Sequence, residues 1–418
     1  MRKILKKNTI DNIVLALYVL IMASASTIAH SDIYFSFFFV FLAIVFLYKK
    51  RKVDFFILII LFFWILINIL SFEVNEGLSY TYTTFIGVTM KIFISYLMVK
   101  IVGESFFIKL LKFIFYLVII SMPFYIIDSL NPTFYSRMAA YLNFMTMPEQ
   151  KMALGWYIYV YMHSGWASDV LDIGILRNSG FMWEPGAFSM ILTFSLLYNF
   201  SINGFKWDKI SFVFLIALIT TFSTSGFLAL IVILFAYSVK VGRKSHIYFI
   251  LFLPVIVYIG LKIYDLDFIS GKIDYYARTI DYHRTHTITG IERVNRFGIL
   301  KYNFEQALSW PFGNGALDSL YLLRKYGVIY RGPNTFAGIL YIWGFLGFIL
   351  FPYFIYMFFR SYFRRSIFIP LSFTVALSFV LFSNPEQLRP IVYSIVFYYL
   401  IYLRKGKVRK STLLNYDY

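Results

Sequence analysis

Apolar runs of roughly 17–25 residues recur along almost the whole chain, and a helix of that length spans the hydrocarbon core of a bilayer. Backbone N–H and C=O groups in lipid must pair within their own segment, so such runs fold as helices. The sequence therefore predicts an all-α polytopic membrane protein, with residues 1–418 as one integral membrane domain. Only 14% of the residues are charged and 60% are hydrophobic, whereas a soluble protein carries about 25% charged residues. There is too little polar surface for a large soluble domain. The first apolar run is too long for a signal peptide and lacks a small-residue cleavage site, so none is expected to be removed. The absence of cysteine excludes thiol chemistry and disulfides.

Hydropathy places spans at about Ile10–Ala29, Ile33–Tyr48, Asp54–Leu70 and Thr81–Val102, with a fifth ending near Ile127. Further spans are expected at Glu184–Phe200, Ile210–Phe222, Gly226–Val239, Ile247–Ile263, Thr335–Phe359, Ile367–Phe382 and Ile391–Leu403. The order gives twelve spans with both termini in the cytoplasm. Basic residues mark each inner turn, as the positive-inside rule requires: Lys49 to Lys52, Lys109 and Lys112, Lys206 and Lys209, Arg243 and Lys244, Arg360 to Arg365, and the tail from Arg404.

Two long segments then fall outside, 128–183 and 264–333. In the first, Trp156, Tyr157, Tyr159, Tyr161 and Trp166 suggest amphipathic helices lying at the interface. The second breaks the charge pattern. It holds Arg278, Arg284, Arg293, Arg296, Lys301, Arg324, Lys325 and Arg331 on the outer side. Long loops escape the topology rule, but a basic outer platform fits an anionic ligand, such as a lipid-linked phosphate or diphosphate. Attraction to anionic headgroups is the alternative. The chain's net charge of +18 carries less information than this distribution. Aromatics at 22% suit lipid contact, interfacial belts or sugar stacking without choosing among them.

Within the second outer segment, Ile291, Val294, Phe297, Leu300, Phe304 and Leu308 recur every three to four residues, which predicts a helix. On such a helix Arg293 and Arg296 would face one ligand together. It runs into Pro311-Phe312-Gly313-Asn314-Gly315, a turn suited to glycine backbone. The first outer segment ends in Arg177-Asn178-Ser179-Gly180-Phe181-Met182-Trp183-Glu184-Pro185-Gly186. Pro185 is suited to the first helical position, and Glu184 then sits by the positive end of the helix dipole. Glu184 is either a helix cap or a carboxylate that orients or deprotonates a sugar hydroxyl. Asn334 is either the cap of the long Thr335–Phe359 span or a sugar or phosphate contact. His283 and His286 could serve as a base, but like His163 they read as solvated loop histidines.

Taken in order, these pieces resemble the superfamily of Wzy-type polysaccharide polymerases and O-antigen ligases. They are Arg-x-x-Gly-x-x-x-Glu-Pro from Arg177, the Ser/Thr-rich turn Ser223–Gly226, the arginine-led outer helix running into Pro-Phe-Gly-x-Gly, and Pro333-Asn334 before a long span. The resemblance covers roughly residues 177–359. It implies a GT-C-like integral membrane glycosyltransferase of the bacterial cytoplasmic membrane, with its site on the outer face. The implied donor is an undecaprenyl-diphosphate-linked repeat unit. The implied product is O-antigen, capsule or exopolysaccharide, and no metal or cofactor takes part. A flippase and a chain-length regulator are the implied partners; no nucleic acid is.

On this resemblance Arg293 and Arg177 match family arginines. With Arg296 and Arg331, and with Arg278 and Arg284 nearby, they would hold the departing diphosphate. Glu184 would orient the acceptor or act as base. Ligases carry His-Asn where this chain has Pro333-Asn334, which favours a polymerase. A ligase that transfers the glycan to lipid A core, a flippase of the same lipid-linked glycan and a non-catalytic membrane scaffold are the other readings; the flippase calls for cations inside the spans. The clearest of these are only Lys91 and Lys262.

Overall fold

Proline or a polar cap opens several helices of this chain: Pro132, Pro185 and Pro390 stand first in theirs, and Asp208 and Asn334 cap two more. The structure, a computed structural model, describes residues 2–23, 32–74, 82–142, 156–157, 160–163, 176–241, 285–286, 292–293, 296–317, 334–384 and 389–404. The helices are α1 (Arg2–Ala23), α2 (Asp32–Tyr48), α3 (Phe55–Val74), α4 (Tyr82–Val102), α5 (Phe106–Leu130) and α6 (Pro132–Leu142). They continue as α7 (Pro185–Ile202), α8 (Lys209–Thr220), α9 (Thr224–Val241), α10 (Arg296–Ser309), α11 (Thr335–Arg360), α12 (Phe368–Phe382) and α13 (Pro390–Tyr398). Two short antiparallel pairs complete the described elements: β1 (Trp156–Tyr157) with β2 (Met162–His163), and β3 (Thr285–His286) with β4 (Glu292–Arg293).

Helices occupy every position expected of a span except Ile247–Ile263, which lies outside the described residues. Five described segments are long and apolar enough to cross a membrane: Phe55–Val74, Tyr82–Leu130, Pro185–Ile202, Thr224–Val241 and Thr335–Arg360. The second of these is two helices, α4 and α5, separated by a 3-10 turn at Gly103, whose φ is 84°. Large apolar side chains stand exposed along the outward faces, among them Phe37, Leu47, Phe62, Tyr116, Leu346 and Ile349. A soluble monomer seldom presents so much contiguous apolar surface. This is an all-α membrane protein.

α7 is the axis of the bundle. Every residue from Ala187 to Ser201 is buried, against α8, α9 and α12. At one end of the bundle lysines gather on buried acids. The Asp11 carboxylate lies between the Lys49 and Lys109 ammonium groups, and Lys100 pairs with Asp54 at 2.8 Å. Nearby, the Tyr398 hydroxyl donates to the Glu104 carbonyl. α3, α8, α12 and the other helices that start here finish at the opposite end, where α7, α9, α11 and α13 begin.

The aromatic run after α6 departs from the expected interfacial helices. Residues 156–163 alternate aromatic, β-branched and polar side chains, a pattern that suits extended backbone, and they supply β1 and β2. Tyr161 is 1% exposed, so it belongs to a core and not to a lipid belt.

α11 is broken. Gly344 takes φ 65° and ψ −162°, a conformation open essentially to glycine alone. The break frees the Tyr341 and Ile342 carbonyls, and the turn 311–315 pairs with them. Asn314 N–H donates to Tyr341 O (2.7 Å), Gly315 N–H to Ile342 O (3.0 Å), and Phe345 N–H returns to Pro311 O (3.0 Å). Such backbone is tolerated at membrane depth where protein covers it. α3 provides the cover: Asn68 Oδ1 accepts from the Ala316 amide (2.8 Å), and Ser71 Oγ donates to Asn314 O (2.9 Å).

Candidate functional site

Residues 176–184 approach the buried axis helix as extended chain and turns, so their backbone groups need partners from elsewhere. The turn between α8 and α9 supplies them. Asn178 N–H donates to Thr220 O (2.9 Å), and Asn178 Nδ2 donates to Thr220 Oγ1 (2.9 Å). The Arg177 Nε–H donates to Thr221 O at 3.2 Å, and the residue is only 9% exposed. That bond fixes the stem of the arginine. Gly180 turns the chain at φ 51°, with the Phe188 ring pressed so close that a methyl there would lie 2.3 Å from its Cζ.

Pro185 occupies the first turn of α7, as its sequence position predicts. Glu184 is the extended residue before it, at φ −154° and ψ 157°, and its carboxylate makes no capping hydrogen bond to the helix. Gly186 keeps the entrance narrow: a methyl on it would lie 2.5 Å from Asn384 Oδ1 and 3.5 Å from Glu184 Oε1. Asn384, 1% exposed, follows α12 and donates to the Gly186 carbonyl at 3.1 Å. Its own carbonyl accepts from Thr335 Oγ1, at the start of α11. Gly186, Asn384 and Thr335 thus tie the mouth of α7 to the mouth of α11.

Asn334 belongs to the same junction as a cap. It is fully buried, and its Oδ1 accepts from the Phe336 amide at 2.9 Å and the Ala337 amide at 3.3 Å. Its side-chain oxygen is committed to the helix start rather than presented to a sugar.

The arginine pair expected on one helix is separated by structure. α10 starts at Arg296, whereas Arg293 lies in β4, opposite Thr285. The β-branched and glycine residues of Thr287-Ile288-Thr289-Gly290-Ile291 oppose an early helical start. Arg278, Arg284 and Arg331 lie outside the described residues, as do His283 and Lys262.

The sequence reading missed a buried carboxylate and its histidine. Asp128, in the last turn of α5, is 0% exposed. Its oxygens lie 3.0 and 2.8 Å from His163 Nδ1, and its Oδ2 accepts from the Tyr161 hydroxyl at 2.8 Å. Burial, with the Asp128 carboxylate beside it, pushes the Tyr161 phenol well above its ordinary value. The pair adjoins the Arg177–Glu184 stretch, because Met162 N–H donates to Gly180 O (2.7 Å) and the Tyr125 hydroxyl to Leu176 O (3.0 Å). His163 is therefore not a solvated loop histidine. The available signal was an acid at the end of an apolar span, where a carboxylate needs a partner.

Two polar atoms on the same stretch, Ser179 Oγ and Trp183 Nε1, are buried with no hydrogen-bond partner among the described residues. Buried donors without partners are uncommon in folded proteins and cost stability. The site thus combines a nearly buried guanidinium, an uncapped carboxylate and a carboxylate-oriented imidazole around unsatisfied polar atoms. Chemically it can hold an anion, orient a hydroxyl and accept a proton.

No protein-family model, curated protein or solved structure matches the chain.

Proposed function

We propose that this protein polymerises polyprenyl-diphosphate-linked oligosaccharide repeat units as a metal-independent, GT-C-like glycosyltransferase. On this reading it crosses the bacterial cytoplasmic membrane twelve times with both termini inside. The end bearing Lys49, Lys100 and Lys109 is cytoplasmic, in keeping with the positive-inside rule. The site end faces outward, and the product is O-antigen, capsule or exopolysaccharide.

The observation that carries the reading is the position of Arg177. Its stem is tied to Thr221 and it stands 9% exposed, three residues before Gly180 and seven before the uncapped Glu184. A guanidinium shielded from water stabilises a developing diphosphate far more than one in bulk solvent does. The family resemblance carried by residues 177–185, the Ser223–Gly226 turn, the arginine-led segment into Pro311–Gly315 and Pro333-Asn334 supplies the reaction class.

In this mechanism the acceptor hydroxyl of one repeat unit attacks the anomeric carbon of the growing chain. The carbon–oxygen bond to the carrier breaks, and polyprenyl diphosphate leaves with the electron pair. Arg177, Arg293 and Arg296 balance its charge, and Glu184 orients the acceptor. The chemistry runs without a metal because arginines take the role of a cation.

The test is an in-membrane assay of Arg177→Ala and Arg293→Ala, with lipid-linked glycans extracted and resolved by length and protein level checked by blot. Polymerase function predicts normal insertion and single repeat units left on the carrier. Long carrier-linked glycans in both variants would remove the arginine assignment. Long carrier-linked glycans in a deletion strain, with only transfer to a final acceptor lost, would make the protein a ligase.

A further inference from the structure

We propose that His163, held by Asp128, is the base that takes the proton from the acceptor hydroxyl. The inference rests on the transferase reading above and names a residue which that reading leaves open.

Geometry carries it. The Asp128 carboxylate is buried at the site end of α5, the end opposite Lys109. Both of its oxygens lie within hydrogen-bond distance of His163 Nδ1. In the neutral ring Nδ1 then bears the hydrogen and donates it to the carboxylate, which leaves the Nε2 lone pair as the acceptor. Tyr161 donates to Asp128 Oδ2, and the Tyr135 hydroxyl donates to the Tyr161 carbonyl, so the carboxylate and its support cannot swing. The histidine side chain is 25% exposed while Asp128 is 1% exposed. The ring is anchored at Nδ1 on a buried carboxylate, while a quarter of the side chain stays exposed.

A second observation points to a polar ligand at this place. The strand bearing His163 is bonded through Met162 to Gly180. That residue follows Ser179, whose buried Oγ has no partner among the described residues. A histidine serving only to neutralise Asp128 leaves Ser179 and Trp183 Nε1 unexplained. A hydroxyl-rich acceptor bound beside this stretch would offer partners to both.

The step balances. The acceptor O–H bond breaks as its oxygen bonds to the anomeric carbon, and the proton passes to Nε2. The anomeric carbon–oxygen bond breaks, and its electron pair leaves on the diphosphate. The imidazolium is held by Asp128 until it loses the proton to solvent at its exposed edge. His163 is the catalytic residue and Asp128 a positioning residue. Among the described residues, the titratable groups packed with the ring and its carboxylate are Tyr125 on α5, Tyr135 on α6, and Tyr161.

The experiment uses membrane vesicles containing the full chain. The probe is the cell's own lipid-linked repeat units, extracted from a strain lacking the protein. Wild type is expected to elongate them with a one-proton acid limb in its pH–rate profile. His163→Gln is expected to lower kcat by about 100-fold or more, the usual range for a lost general base, with KM little changed. Asp128→Asn is expected to lower kcat per inserted molecule by less than His163→Gln does, with KM little changed, because the base is kept but no longer aimed. A merely structural role would change the amount of protein and leave kcat per inserted molecule unchanged.

If wild type elongates and His163→Gln keeps pace with it, the base assignment falls while the transferase reading stands. If wild type elongates nothing, the transferase reading falls and this inference falls with it. Should His163→Gln fail to insert, the wild-type profile decides: absence of the acid limb overturns the proposal.

Discussion

Gly313 and Gly344 meet backbone to backbone: a methyl on Gly313 would lie 2.4 Å from the Gly344 nitrogen, and one on Gly344 would lie 2.0 Å from the Pro311 carbonyl. Both residues have positive φ, at 84° and 65°. The contact joins the 311–315 turn to the break in α11, so each residue needs glycine twice, for conformation and for space.

Alanine at Gly313 or Gly344 should therefore lower folded yield and detergent-solubilised Tm sharply. The backbone must move in addition to bearing the left-handed penalty of about 1–2 kcal/mol. Gly204→Ala separates the two causes, because Gly204 has φ 72° but nothing within 4 Å of the added methyl. It should bear the conformational penalty alone. Gly87→Ala, in the open on α4, should be neutral or slightly stabilising. Equal Tm losses at Gly204 and Gly313 would count against the close approach.

Asn68→Ala tests the cover over that junction. Asn68 is 4% exposed, accepts from the Ala316 amide at 2.8 Å, and donates to Trp64 O at 2.7 Å. Removing it leaves a buried amide without an acceptor, which costs about 1–3 kcal/mol. A lower Tm is expected. An unchanged Tm would mean that the Ala316 amide has another partner.

Local signals in the sequence were readable wherever one residue decides one feature. Pro185 opens α7, and the glycines at 313 and 315 form the expected turn. What the turn is for was not readable, since its partners Tyr341 and Asn68 are 27 and 248 positions away from their contacts in the turn. His163 was misread for the same reason: Asp128 lies 35 positions earlier, on another element. Arg293 fell on a helix in the periodicity because Val294 and Phe297 fit the spacing. Yet the preceding β-branched run favours extended backbone, and β4 results. The Arg177–Glu184 stretch was legible as a motif, whereas the way Asn384 closes it against α11 was not.

Arg177→Lys separates geometry from charge. The Nε–H bond to Thr221 O anchors the guanidinium. A lysine has no donor at that point on its stem and no planar fork. Activity should fall by at least 10-fold, while the level of inserted protein stays near wild type. Activity close to wild type would show that charge alone suffices there.

Asp11→Asn addresses the lysine-rich end. Asp11 is 3% exposed and faces both Lys49 and Lys109, with the Lys109 contact at 2.6 Å. Neutralising it leaves two cations facing each other in a largely buried place, and breaking such a pair costs about 3–5 kcal/mol. The variant should insert poorly or melt well below wild type. Asp11→Asn combined with Lys49→Met should recover part of the loss, since one uncompensated charge is then gone. No recovery in the double variant would show that Asp11 acts other than through these lysines.

Tyr161 sets an alkaline limit on the outer-segment core. Its phenol is pushed well above its ordinary value, by burial first and by the Asp128 carboxylate next. A group whose folded value is raised keeps its neutral form in the fold, so its contribution is fully present below about pH 10. Above that pH the unfolded chain gives up the proton and the folded chain does not. Stability then falls by up to about 1.4 kcal/mol per pH unit for this one proton. Between pH 9 and 11 the Tm of wild type should fall more steeply than that of Tyr161→Phe, which lacks the titrating group. Parallel slopes would show that the Tyr161 phenol is not held neutral by the fold.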